Sequence, residues 1–307
     1  MRKREGLFDR LPEAELMEPR VPEVDYEAYT NRQLVLVPLV LLLIALAIIG
    51  GTFLVTGSPV HLGIEFTGGV EMTVDAEGSP DEIAAVFSEE PQSIQGVSGY
   101  DDRYILTFRA DDEVDERLGS QLETEAEAAG FEVQSIDERS AAFGADTQRE
   151  ALFGLGLAFL GMSLLIAVIF RTFVPSVAVV ASAFSDIMIP LALMNLLGIE
   201  LTLGTVAALL MLIGYSVDSD ILLNNQILRR RGDFYESTQR AMRTGVTMTT
   251  TSIVAMAVMT VVAWFFQIPL LPAVGIVLVF GLIADLMNTY LLNVSLLRYY
   301  KYEGIAK

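Results

Sequence analysis

The chain has 307 residues, of which 52% are hydrophobic, with a mean hydropathy of +0.49 and a formal net charge of −19. With no cysteine and a single histidine, His61, a disulfide, a thiolate metal site and a histidine-rich zinc site are excluded, and no Ser-His-Asp triad is expected. The basic residues are 17 Arg and 3 Lys against 39 acidic ones; such a surface does not suit nucleic acid, and it matches adaptation to concentrated salt, which screens the repulsion.

Residues 1–33 are polar, charged and contain Pro12, Pro19 and Pro22, which predicts a cytoplasmic N-terminal tail. The run LVLVPLVLLLIALAIIGGTFLV then predicts transmembrane helix 1 over 34–56, with Pro38 near its start. Residues 57–149 are soluble in character and hold nearly all the net negative charge. GVEMTVDA, RYILTFRA and FEVQSIDERS alternate as strands. SPDEIAAVFSEE reads as a helix capped by Ser79 with Pro80 in its first turn, and DDEVDERLGSQLETEAEAAG as a helix closed by Gly130. The expected fold here is a small extracytoplasmic α+β domain, ferredoxin-like.

Five more apolar blocks fill 150–298, predicting transmembrane helices 2–6 over 151–170, 173–197, 201–228, 246–266 and 270–297; residues 299–307 form the C-terminal tail. The fold class is thus a polytopic α-helical membrane protein of six spans with one α+β domain between the first two. Arg20, Arg32, Arg171, Arg229, Arg230, Arg231, Arg240, Arg243, Arg298, Lys301 and Lys307 all fall on one side of such a protein, while the short loops 198–200 and 266–269 carry no Lys or Arg. The rule that cationic loops stay inside places both termini in the cytoplasm and the acidic domain outside, in a multi-pass protein of the cell membrane.

Inside the spans sit Asp186, Asp218, Asp220 and Asp285. A carboxylate near mid-bilayer costs at least about 2.5–3.5 kcal/mol, so these side chains should face a bundle interior or a wet cavity. In the fourth span Gly214, Asp218, Ile221 and Asn225 form one helical stripe, and Ser216, Asp220 and Asn224 another. Arg243 opens the fifth span, followed by Thr247, Thr249, Thr250, Thr251 and Ser252; the hydroxyls suit helix-to-helix contacts or an ion path, and Arg243 is the cation placed to pair with Asp218. There is no nucleotide-binding loop and no nucleophile–base pair, so the chain is not expected to be an enzyme or to carry a cofactor. Any work it does must draw on a partner or on a coupling ion, H+ or Na+.

Several stretches carry a resemblance. LGIEFTGGVEM (62–72), with Gly63, Glu65, Thr67, Gly68 and Gly69, resembles the glycine box of the SecD/SecF family. FGADTQREAL (143–152) resembles that family's re-entry into the membrane. IGYSVDSDILLNNQILRRRG, with Gly214 and Tyr215, resembles its fourth-helix motif on the SecF side, and RTGVTMTTTS its fifth. With the acidic composition, the chain resembles an archaeal member of the SecF branch, within the RND superfamily. The resemblance implies one half of an RND-type bundle, partnership with SecD and the Sec translocon, contact with the translocating polypeptide, and use of the ion gradient. It places Asp218 at a functional acidic position, Arg243 at the fifth-helix arginine and Asp186 at a third-helix acid; it leaves Asp285 without a match. The alternatives are half of an RND-type solute or lipid exporter, or a passive translocon scaffold.

Overall fold

The structure is a computed structural model that describes residue 26 and residues 28–97, 100, 102–109, 117–229, 233–266, 268 and 270–303. Most of the N-terminal tail, Arg230, Arg231, Lys307 and the first part of the helix read over 111–130 lie outside the described residues.

Six helices long and apolar enough to cross a membrane are present. The first is α1 (Asn31–Thr56), capped by the Thr30 hydroxyl on the Gln33 amide and ended by Gly57 at φ 77°. After a four-residue turn of helix, α2 (Ile64–Thr67), comes the soluble domain: β1 (Gly69–Asp75), α3 (Pro80–Ala84), β2 (Ser93–Gly96), β3 (Arg103–Phe108), α4 (Leu118–Ala128) and β4 (Glu132–Arg139). The remaining spans are α5 (Ala141–Phe170), α6 (Phe173–Leu197), α7 (Leu203–Arg229), α8 (Phe234–Phe265) and α9 (Leu271–Met287). α9 runs on through a π-helical segment, Asn288–Asn293, into Val294–Arg298 and a second π-helical segment, Tyr299–Glu303.

The soluble domain has one antiparallel sheet in the order β2-β3-β1-β4, with α3 and α4 as crossovers. That βαββαβ order is the ferredoxin-like arrangement read from the alternating segments. One side of β1 supplies Val70, Met72 and Val74 to a core with Leu106, Phe108, Ile83, Phe87 and Leu122. Two elements were not read from the sequence. β2, SIQG, is too short and polar to show period two, and α2 is a single turn inside the glycine box. α5 and α8 also begin earlier than their apolar runs, because Ser140 and Asp233 cap polar first turns.

The glycine box fastens this domain to the bundle. Gly68 and Gly69 sit at φ 73° and 135°, where a side chain would be strained. Gly63 donates its N–H to the Leu201 carbonyl at 2.9 Å, and Leu201 donates to the His61 carbonyl at 2.7 Å. The loop before α7 is thereby stitched to the segment after α1. From the other side Gly144 lies so close that a β-carbon there would be 2.6 Å from the Gly68 nitrogen. The glycine box and the start of α5, distant in sequence, are one packed joint.

Among the transmembrane helices, α6 and α7 are mostly buried, and α1, α5 and α8 mostly outward-facing. The apolar core between α6, α7 and α9 is built by Ile187, Met194, Leu209, Leu212, Val277 and Leu282.

Two outcomes are expected. Gly144→Ala forces the glycine box away from α5 and costs about 1–3 kcal/mol, an overpacking penalty, read as faster proteolysis between residues 57 and 149 in the purified chain. Second, burial holds the Glu71 carboxyl above its ordinary range, with Glu65 and Asp137 adding repulsion. The folded chain therefore binds that proton more tightly than the unfolded one, and stability falls as pH rises through the folded value. Glu71→Gln should raise the thermal midpoint at neutral pH and leave it unchanged in acid; equal shifts at both pH values would contradict this.

Candidate functional site: a buried carboxylate cluster

Three of the four intramembrane aspartates meet. Asp186 of α6, Asp220 of α7 and Asp285 of α9 are 1%, 0% and 2% exposed. Asp186 accepts from the Ser216 hydroxyl at 2.6 Å on Oδ2 and from the Asn288 amide at 2.6 Å on Oδ1. Asp220 accepts from the Thr289 hydroxyl at 2.9 Å and the Asn293 amide at 2.7 Å, both on Oδ1. The Ser219 hydroxyl lies 2.8 and 3.0 Å from the two oxygens of Asp285. Thr289 also reaches Asp285 Oδ1 at 3.3 Å, so one hydroxyl bridges two carboxyls.

The local sequence explains the convergence. The stripe Ser216, Asp220 and Asn224, spaced by four, turns inward with Ser219 beside it. On the last span Asn288, Thr289 and Asn293 are fully buried. A π-helical segment runs from Asn288 to Asn293, and its wider turn brings both asparagines to the same face, against Asp186 and Asp220 respectively. The charged neighbours of Asp186 and Asp220 are other carboxyls of the cluster, and the Tyr290 phenol lies near Asp220 and Asp285. Neutral amides and hydroxyls, rather than cations, hold the aspartates. Such a site can take up a positive ion without breaking an existing salt bridge.

Asp218 is elsewhere. Its stripe faces outward: Gly214, Asp218 and Asn225 are exposed and Ile221 is half-buried. Of the two stripes read on the fourth span, the one carrying Asp220 turns to the interior, because it brings Ser216 and Asn224 with it and packs beside the apolar Leu212, Leu223 and Ile227. The expectation that Asp218 joins Asp186 and Asp285 inside one half is corrected in favour of Asp220. Arg243 is likewise on the exposed side of α8, away from the cluster. Thr247 donates to the Arg243 carbonyl at 2.7 Å and Thr251 to the Met248 carbonyl at 2.7 Å, bonds within their own helix. Thr250 is exposed. Tyr215 is half-buried against the α6–α7–α9 core. Gly63, Glu65, Thr67, Gly68 and Gly69 lie at the domain joint, far from the cluster in the chain and in the fold. Sequence reasoning missed Asn288, Thr289 and Asn293. The polar residues of DLMNTYLLN at three, four and eight after Asp285 were a readable signal.

Residues 111–303 match the family described as protein export membrane protein SecD/SecF, C-terminal, and residues 53–79 match the SecD/SecF GG motif. The chain belongs to the archaeal SecF branch of the SecD/SecF family. It is 61% identical over 292 residues to the protein-export membrane protein SecF of Haloferax volcanii, covering 95% of this chain and 100% of that one. To the SecF of Haloquadratum walsbyi it is 62% identical, covering 94% and 98%. To the SecF of Pyrococcus furiosus it is 37% identical, covering 89% and 93%. A crystal structure of SecDF from Thermus, described as a translocon-associated membrane protein, superposes with a TM-score of 0.69 at 22% identity. The match covers 91% of this SecF-family chain and 39% of that chain, so the shared fold is one part of a longer protein.

Placement of the two aspartates on the fourth span has a direct consequence for stability. Ser219→Ala strips both oxygens of buried Asp285 of their shared hydroxyl and should cost about 1–3 kcal/mol. Asp218→Asn, at an exposed position, should stay within about 0.5 kcal/mol. Thermal unfolding of the purified chain ranks the two; the reverse order would contradict the inward assignment of the Ser216–Asp220 stripe.

Proposed function

We propose that this chain is the SecF half of a SecD–SecF complex, assisting the outward movement of polypeptide through the Sec translocon by drawing on the ion gradient. The observation that carries this is the buried set Asp186, Asp220 and Asp285, three carboxyls held between α6, α7 and α9 by neutral donors. Polar groups this costly inside a membrane mark ion pathways. One charge moved through the field supplies about 2.3 kcal/mol per 100 mV. Occupation and release of one positive charge would bias two packings of the bundle, the minimum for a coupled switch.

The partner follows from the outward stripe. Asp218 on α7 and Arg243 on α8 are exposed on faces that otherwise carry Met211 and Val254. Charged groups at such positions are disfavoured against lipid. A second six-helix half, the role we assign to SecD, would cover them, and the length of the Thermus SecDF supports this reading. The same logic argues against an exporter acting as a lone half. Both termini would then be cytoplasmic and the acidic domain outside, in contact with the emerging polypeptide. The acidity of that domain suits a saline exterior, in line with the haloarchaeal relatives.

Asp220→Asn keeps the shape of the side chain and removes its charge. In cells with a normal gradient it should reduce export of a Sec substrate to the level seen when the gradient is collapsed, with the protein at normal abundance. Export equal to wild type would favour the passive scaffold instead. Asp218→Asn should lower co-purification with the SecD half, and unchanged recovery would argue against that interface.

A further inference from the structure

The polar segment ahead of α1 sends one side chain into the membrane bundle. Tyr26 is 4% exposed and belongs to the apolar cluster of Leu223, Met242, Tyr290 and Val294. Its hydroxyl donates to the Tyr290 carbonyl at 3.1 Å, with the Met242 sulfur 3.6 Å away. The Tyr26 and Tyr29 carbonyls both accept from Arg298 Nη1, at 2.8 and 2.9 Å. The segment is therefore fastened to the last span at two levels, Tyr290 and Arg298, about 12 Å apart along the helix.

The first of these attachments falls on a particular atom. Tyr290 lies inside the π-helical segment Asn288–Asn293. In a regular α-helix its carbonyl would take the Val294 N–H. Here that N–H turns to the Thr289 and Leu291 carbonyls instead. The Tyr26 hydroxyl brings the Tyr290 carbonyl a donor in place of the one the π register redirects, and a buried carbonyl is stabilised by such a bond. Tyr290 is itself pinned, because its hydroxyl sits against Gly245 of α8, where a β-carbon would collide with it.

We propose that Tyr26 is a positioning residue for the buried carboxylate cluster. By bonding the Tyr290 carbonyl it holds the last span in the π register that aims Asn288 at Asp186 and Thr289 and Asn293 at Asp220. Without that bond the Val294 N–H returns to Tyr290, and Asn293 rotates off the face that holds Asn288. The proposal rests on the reading above that the cluster draws on the ion gradient, and it adds a residue outside the spans that sets the geometry of the cluster. The effect of Tyr26 runs through the backbone of the last span.

The test uses the full chain in lipid nanodiscs with isotope-labelled asparagine side chains, read by solid-state magnetic resonance. Tyr26→Phe keeps the buried ring and removes the hydroxyl. The expected result is a shift of the Asn288 and Asn293 amide signals, with the signal of Asn195, which bonds the Pro59 carbonyl, unmoved. An anchor for the N-terminal segment with no positioning role would leave all of these signals in place. In cells, gradient-driven export of a Sec substrate should fall about fivefold, the equilibrium weight of one hydrogen bond, while export after collapse of the gradient stays as in wild type. Met242→Leu, which removes only the sulfur, should leave the amide signals where they are. Unmoved Asn288 and Asn293 signals in folded Tyr26→Phe overturn the proposal, as does an equal shift in Met242→Leu. If Tyr26→Phe does not fold, Arg298→Gln decides: it releases the Tyr26 and Tyr29 carbonyls and should move the same two signals, and no movement overturns the proposal. Moved signals in a chain whose export ignores the gradient would leave the positioning role standing and remove the export reading. Unmoved signals with gradient-dependent export would do the reverse.

Discussion

Keeping three carboxyls inside a bilayer, with no cation bonded to them among the described residues, is the constraint that organises the membrane half of this protein. A charged group there is affordable only when surrounded by donors, and each donor must come from a helix that packs against the others. α7 therefore presents Ser216 and Ser219, the last span presents Asn288, Thr289 and Asn293, and α6 contributes Asp186 between them. The apolar contacts of Leu212, Leu282 and Ile187 close the layer on one side, and Leu223, Tyr290 and Val294 on the other. The helix pair that packs and the polar network that it encloses are one structure.

The same constraint accounts for the irregular last span. A regular α-helix would carry Asn293, five residues on, well away from the face that holds Asn288. The π-helical segment Asn288–Asn293 restores it, and the cost of weaker backbone geometry is offset by hydrogen bonds to Asp220 and Asp186. At the end carrying the soluble domain the joint is built differently, from backbone contacts at Gly63, Gly68 and Gly144 and the pairing of Leu62 with Leu201. Small residues there let chain segments approach closely, so the domain sits directly on the loop that begins α7. Leu201 thus joins the segment after α1 to the loop that leads into α7.

Inside the soluble domain, charge and core are separated along the sheet. Arg103 pairs with Asp75 by two bonds of 2.5 and 2.7 Å at the domain surface, which lowers the Asp75 carboxyl below its ordinary range, chiefly through that hydrogen bond. Both side chains are partly exposed, so the pair fixes register between β1 and β3 more than it stabilises. Glu65, Glu71 and Glu200 gather on the side facing the bundle, and burial with their mutual repulsion raises Glu71 and Glu200.

The amino-acid pattern by itself determined the number of spans, the ferredoxin-like order of the domain and the two polar stripes on the fourth helix. These follow from hydropathy length, period-two alternation and four-residue spacing, which are properties of single segments. It also placed Asp186 and Asp285 correctly inside the bundle, because a mid-span acid must face protein. Only the tertiary structure decided between Asp218 and Asp220. Both lie in the same helix two residues apart, and the choice depends on which stripe meets donors from other helices. Those donors, Asn288, Thr289 and Asn293, reach the site through a π turn whose backbone bonds leave no mark on hydropathy. The outward position of Asp218 and Arg243 is likewise a matter of which surface the fold leaves uncovered, and no single segment carries that information.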